Sequence, residues 1–277
     1  MSTELQEKTN SIKNGLLKGK KGVILGLANK WSIAWGIANS LHEGGAELVF
    51  TYQDRVKDRV EKLAEELAGD TTSIQCIECD VTSEDQIDSA FNKISEVFGG
   101  KLDFVIHSLA FARKDELEGR YVECSRDGYL LAQNVSAYSL VAVSRRAEPL
   151  LEANGGGSIV TLTYIGGERV VQNYNVMGVA KAALECSVRY LAADLGPKKI
   201  RVNAISAGPI KTLASSAISG IQTLITEIAE VSPLRKNTET EEVGDTALFL
   251  VSDLSRGITG ENIHVDAGFH IIGAVKA

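Results

Sequence analysis

Two tyrosines ten residues apart and a lysine seven residues beyond the second, Tyr164, Tyr174 and Lys181 in "TYIGGERVVQNYNVMGVAK", are the residues here best suited to chemistry at a carbonyl. A phenol can donate a hydrogen bond to an oxygen on which negative charge develops, while a nearby ammonium lowers the phenol's pKa and binds a ribose hydroxyl. At about 3.6 residues per turn, a spacing of seven is nearly two turns, so Tyr174 and Lys181 share a helical face with Met177 and Gly178 between them. The same spacing also describes an amphipathic helix with a snorkelling lysine and two half-buried tyrosines. What surrounds the trio decides between the two readings.

Short β-branched apolar runs alternate with longer helical patterns along the whole chain. "KGVILGLA", "AELVFTY", "SIQCIECDV", "LDFVIHSLA", "GSIVTLTY", "IRVNAISAG" and "ENIHVDAG" read as strands; "SIAWGIANSLHEGG", "DRVKDRVEKLAEELAG", "SEDQIDSAFNKISEVFG", residues 127–151 and 174–195, and "EEVGDTALFLVSDL" read as helices. That alternation predicts an α/β, Rossmann-like, doubly wound fold of about seven parallel strands flanked by helices. Tyr164 then closes the fifth strand, and Tyr174 and Lys181 lie on the helix that follows. In such sheets ligands bind beyond the carboxyl ends of the strands.

Several strand ends carry residues suited to a dinucleotide. "GLANKWSIAWG" follows the first strand: Gly26 allows close backbone approach, and the opening of the next helix, with Ser32 as cap and Ile33 behind it, favours an anion. It departs from G-x-G-x-x-G, because Ala28 replaces the second glycine and Gly36 lies ten residues after Gly26; a tight turn with a capped helix would look the same. The second strand ends at Gln53, followed by Asp54 and the single Arg55, an order that favours NADH over NADPH. Asp54 also reads simply as a helix cap. Asp80 with Val81 is placed to meet an adenine, and Ser108 and Ala110 are small enough for close cofactor approach; as strand-exit caps these residues would need no ligand.

Composition narrows the alternatives. The 277 residues, 44% of them hydrophobic, suffice for one large domain, and a net charge of −7 argues against a nucleic-acid partner. No run approaches the ~18 apolar residues of a membrane span, and the opening residues lack the apolar core of a signal peptide. A soluble cytoplasmic protein follows, with a polar, disordered arm over 1–18 and one dinucleotide-binding and catalytic domain over 19–277. Cys76, Cys79, Cys124 and Cys186 are scattered. The pair in "CIEC" falls on a strand, where a separation of three turns the side chains to opposite faces, so no metal site is expected. The helices over "DGYLLAQNVSAYSLVAVSRRAEPLLE" and "NYNVMGVAKAALECSVRYLAADL" are more apolar than one buried stripe requires, which points to subunit contact.

Taken together, "GLANKWSIAWG", "CDV", "HSLAFA", "YIGGERVVQNYNVMGVAK" and "RVNAISAGPIKTLA" resemble the short-chain dehydrogenase/reductase superfamily, specifically its enoyl-acyl carrier protein reductase branch, from about residue 19 to the C-terminus. Ordinary members use Tyr-x3-Lys; this chain has Gly178 four after Tyr174 and Met177 four before Lys181, and matches the branch pattern Tyr-x9-Tyr-x6-Lys. The resemblance implies reduction of trans-2-enoyl thioesters by NADH, with Tyr174 on the thioester oxygen, Lys181 on the nicotinamide ribose and Tyr164 lining the substrate pocket. It implies dinucleotide contacts from Gly26, Ser32, Ile33, Gln53, Asp80, Val81, Ser108, Leu109, Ile210 and Thr212. Ala110, Phe111, Leu117, Met177 and Ile218 would line the acyl pocket, and a mobile substrate loop would span about 212–225.

The same resemblance implies a homotetramer and an acyl carrier protein as partner. Two departures stand out. Ala110 replaces a glycine common in relatives, and Ser219, Gln222 and Thr223 occupy positions where relatives offer basic residues to the acidic carrier. Docking would then fall to Arg113, Lys114, Lys211 or Arg235. Two other functions fit the sequence: another short-chain reductase of enones or ketones, and a non-catalytic dinucleotide-binding module.

Overall fold

In the computed structural model, which describes residues 13–69, 73–212 and 221–273, seven strands pair in parallel in the order β3-β2-β1-β4-β5-β6-β7. They are β1 (Lys21–Leu25), β2 (Glu47–Tyr52), β3 (Gln75–Glu78), β4 (Phe104–His107), β5 (Gly157–Thr163), β6 (Ile200–Ala207) and β7 (Asn262–Val265). The central strands are buried along nearly their whole length, as their unbroken apolar runs require when helices cover both faces. Strand order reverses between β1 and β4, which opens a crevice at their carboxyl ends.

Eight α-helices are described: α1 (Ile33–Glu43), α2 (Lys57–Ala68), α3 (Glu84–Phe98), α4 (Arg126–Gln133), α5 (Ser139–Ala153), α6 (Asn175–Leu195), α7 (Ile221–Val231) and α8 (Thr240–Val251). One face of the sheet packs on α3, α5 and α6 through residues such as Ile94, Val143 and Val188. The other face packs on α1, α2 and α8 through Ile37, Leu63 and Leu248, with Phe50 and Phe104 fully buried among them. Burying a side chain of that size contributes about 1.5–3 kcal/mol. Helices α1 and α8 meet backbone to backbone: a Cβ on Gly36 would lie 2.5 Å from Thr240 O, and one on Gly244 2.5 Å from Gly36 O. Gly36 therefore serves helix packing and not the turn after β1.

Three expectations change. Residues 13–18 are not a free arm: Leu17 is fully buried, and Lys13, nearly buried, bridges Glu43 at 3.1 Å and Asp245 at 2.5 Å. Leu17, with Leu16 packed beside the same core, seats the segment; residues 1–12 lie outside the described residues. The stretch 127–151 is not one regular helix, since Asn134–Tyr138 forms a π turn between α4 and α5. Residues 213–220 of the expected loop lie outside the described residues, and its end, from Ile221, belongs to α7. Cys76 and Cys79 do face opposite sides of the sheet, and burial raises their thiols to about 11 and about 12. Among the described residues no helix is long and apolar enough to cross a membrane, and no group of His, Cys, Asp and Glu could hold a metal ion.

Candidate active site

Tyr174 does not lie within α6 but caps it, with φ −123° and ψ 2° and no side-chain capping bond; its carbonyl accepts from Gly178 N at 2.8 Å. Tyr164 extends β5 by one residue, and its ring meets Tyr174 edge to face, centroids 5.1 Å apart at 71°. The turn Ile165–Gly167 between them rests directly on the helix, for a Cβ on Gly178 would lie 2.8 Å from Gly166 O. Burial raises the Tyr174 phenol far above its ordinary range, with Tyr164 and Glu185 adding to the effect. Burial also raises Tyr164, to about 12. This corrects the expectation that Lys181 would lower the Tyr174 pKa: desolvation wins, and the phenol is held as a neutral donor.

Lys181 is buried on the same helix and donates from Nζ to Leu162 O at 2.7 Å. Burial lowers it to about 8, against the opposing pull of Glu185 one turn further on. Glu185 is raised by its own burial; Thr163 Oγ1 donates to its Oε1 at 2.6 Å, and Lys181 and His264 favour its charged form while Glu168 opposes it. Neither Glu185 nor Thr163 was singled out from sequence, although a carboxylate four residues after a functional lysine on a helix is a readable signal.

An apolar wall stands beside the phenols: Leu117, Tyr174, Met177 and Ala180 pack together, with Ala112, Tyr164 and Val171 against them. Leu117, Tyr164 and Met177 are thus brought together as expected. Phe111 and Ala110 are not in this cluster; Phe111 is 40% exposed and Ala110 is exposed as well, while Ala112 occupies the wall. Ile218 lies outside the described residues. The loop carrying Leu117 is tied to α6 by Asn175, whose Nδ2 donates to Glu118 O at 3.1 Å and Gly119 O at 3.2 Å.

The strand exits form the other half of the crevice. Gly26 has φ +97°, and a Cβ there would lie 1.9 Å from Ser108 O and 3.3 Å from Leu109 Cδ2, so β1 and β4 leave the sheet in mutual contact that only glycine permits. Ser32 caps α1, accepting from Trp35 N at 3.2 Å, but gives its hydroxyl hydrogen to Asn29 O at 2.6 Å. What this turn offers an anion is therefore the opening backbone of Ile33 and Ala34 and the helix dipole. For Asp80, burial disfavours the charge, yet bonds from Thr82 N at 2.9 Å, Thr82 Oγ1 at 2.7 Å and the Gln53 side chain outweigh it and hold the carboxyl below its usual range; the Arg55 charge adds to this. Gln53 and Asp80 are joined. Val81 is buried in the core under α3. Ile210 and Thr212 follow β6 at the same edge, with Ile210 packed against the core of α1, α2 and α8.

A glycine-opened turn at a helix start, a joined Gln53–Asp80 pair at adjacent strand tips and the contact of Gly26 with Ser108 fit a dinucleotide laid along the edge, with Tyr174 and Lys181 at its reactive end. Fold and site together define the short-chain dehydrogenase/reductase class. A family model described as "Enoyl-(Acyl carrier protein) reductase" matches residues 26–270. The chain is 56% identical over 260 residues to the Bacillus subtilis enoyl-[acyl-carrier-protein] reductase [NADH] FabI, covering 93% of this chain and 98% of that one. It is 52% identical over 257 residues to the NADPH-named FabI of Staphylococcus aureus strain MRSA252, covering 92% and 98%. It superposes with a TM-score of 0.91 and 54% identity on the Bacillus cereus enoyl-acyl carrier protein reductase solved with NADP+ and an indole naphthyridinone, covering 94% of this chain and all of that one. The chain belongs to the enoyl-(acyl carrier protein) reductase family.

Proposed function

We propose that this chain reduces the carbon–carbon double bond of trans-2-enoyl thioesters on an acyl carrier protein, the last step of each fatty acid elongation cycle, with NADH as donor. The observation that carries this reading is the neutral, buried Tyr174 in edge contact with Tyr164 beside the Leu117–Met177 wall, at the start of the helix that carries a buried lysine. A dinucleotide held by Gly26, Gln53, Asp80 and Lys181 would supply a hydride. Tyr174 donates its hydroxyl hydrogen bond to the thioester oxygen, where charge gathers as the β-carbon is reduced; one preorganised donor of this kind contributes about 3–4 kcal/mol. Lys181 holds the ribose and places a positive charge behind the phenol. Tyr164 closes the pocket on the acyl chain, and a proton taken up from solvent at the α-carbon completes the saturation.

NADH is favoured over NADPH because Gln53, bonded to Asp80, and Asp54 stand ahead of Arg55 at the second strand tip. Exposed Arg113, Lys114, Lys211 and Arg235 are the cations we assign to the acidic carrier. A homotetramer is supported by the uncovered outer surfaces of α5 and α6, where Val141, Ala183, Cys186 and Leu191 line a groove with Tyr190, itself 72% exposed. The protein is assigned to the cytoplasm. The test is oxidation of NADH and NADPH, followed in parallel with enoyl thioesters of carrier protein and coenzyme A. Rapid oxidation of NADH is expected. Turnover of ketones alone, or binding of NADH with no turnover, would replace this reading with another reductase or with a binding module.

A further inference from the structure

The helix that crosses behind the site is interrupted. Between α4 and α5, Asn134–Tyr138 winds as a single π turn, a conformation that persists only where surrounding groups hold it. Here two sets of side chains do so, and both act on the same short stretch, the exit of β4.

His107 ends β4 and is fully buried. Its Nε2 lies 2.8 Å from Ser139 Oγ and its Nδ1 2.9 Å from Thr161 Oγ1. Ser139 Oγ donates to Val135 O, inside the π turn, at 2.7 Å, so it accepts from Nε2–H, while the Thr161 hydroxyl hydrogen is shared between Nδ1 and His107 O, the latter 3.2 Å away. Both ring nitrogens are satisfied by a neutral imidazole, and burial together with the Lys181 charge lowers His107 to about 3. Four residues after His107, Phe111 is gripped from both sides by Ser136, also fully buried: Phe111 N donates to Ser136 Oγ at 2.9 Å, and that hydroxyl donates to Phe111 O at 3.1 Å. Between the two grips run Ser108, Leu109 and Ala110, the stretch whose Ser108 carbonyl leaves no room for a side chain on Gly26.

We propose that the π turn is a positioning clamp, in which His107 with Ser139 fixes one end of 107–111 and Ser136 the other, so that the β4 exit sets the distance between hydride donor and enoyl acceptor. A merely stabilising contact would not need these residues. Well-packed apolar groups in place of these hydroxyls and the imidazole would cost little stability, but hydrogen-bond directionality fixes register where apolar packing does not. His107, Ser136 and Ser139 are positioning residues, and none of them is placed on the substrate.

The kinetic part of the proposal rests on the reductase reading, and the test separates the two. Ser136→Ala in the full chain is compared with wild type by amide hydrogen exchange over 107–112, by NADH affinity, by kcat and KM, and by the primary deuterium isotope effect with 4-deuterated NADH. Expected are loss of protection at Phe111, a kcat lowered about tenfold by misalignment with NADH affinity held within about twofold, and a larger isotope effect. His107→Asn is expected to move the same quantities in the same direction. A lowered Tm with kcat and isotope effect unchanged would overturn the proposal. Should wild type reduce no enoyl thioester, the reductase reading fails, and unchanged Phe111 protection in Ser136→Ala would overturn the clamp on its own.

Discussion

Helices α1 and α6 both open at the carboxyl edge of the sheet, yet their first residues are built on opposite principles. At α1, Ser32 adopts extended φ/ψ, caps the helix through its hydroxyl and is itself held by Asn29. At α6, Tyr174 occupies the same position, makes no capping bond and turns its ring into the Leu117–Met177 wall. A cap of the Ser32 kind is worth about 0.5–2 kcal/mol, so α6 forgoes stability that α1 keeps. One helix start is finished so that its backbone can face an anion. The other is left unfinished so that a phenol can face a carbonyl.

The contrast is broken most severely by Tyr174→Phe, which keeps the packing and removes the donor. A fall in kcat/KM of about 10²–10³ with Tm almost unchanged is expected, read by NADH oxidation and calorimetry. An equal loss from Tyr164→Phe would mean that the two phenols share the oxygen. Lys181 comes next. Its folded pKa of about 8 lies below the ordinary lysine value, so the native state disfavours its charge, and its contribution to stability improves as pH rises from about 8 toward the unfolded pKa. The Tm of wild type relative to Lys181→Met should therefore rise over that window, while the rate should fall as pH passes about 8 and the ammonium is lost. Glu185→Gln removes a charge that favours the ammonium, and the alkaline limb of the rate profile should move to lower pH.

Two smaller effects sharpen the comparison. Asn175→Ala frees the Glu118–Gly119 backbone and with it Leu117, so KM for enoyl thioesters should rise several-fold while NADH affinity stays constant. Ser32→Ala should lower stability by about 1 kcal/mol in denaturant melts and barely change kcat, because the hydroxyl hydrogen is engaged by Asn29.

Seven strands and their direction were legible because βαβ alternation leaves few alternatives to a parallel sheet. The place of Lys181 on α6 was legible from helical spacing, whereas Tyr174 falls one residue before that helix and Tyr164 at the end of β5. What stayed hidden depends on long-range partners. Nothing local marks "QNVSAYS" as a π turn; the turn exists because Ser136 and Ser139 meet Phe111 and His107 from another strand. His107 does give a signal, as a lone polar residue closing an apolar strand. The depth at which Val81 packs beneath α3 is likewise set by partners distant in sequence. Leu17 shows the reverse: within a largely polar stretch it found a full burial site, with Leu16 against the same core.

The contact of α1 with α8 reaches beyond the finished molecule. Gly36 lies against Thr240, Ser40 donates to Asp245 at 2.9 Å, and Lys13 reaches the same carboxylate, so the helix that opens the dinucleotide crevice is braced by a segment some two hundred residues later. During synthesis the chain emerges from its N-terminus, and contacts of such high sequence separation form last. The turn after β1 therefore acquires its support only when nearly the entire polypeptide has left the ribosome, and a nascent chain ending before α8 has no braced site for nucleotide to stabilise.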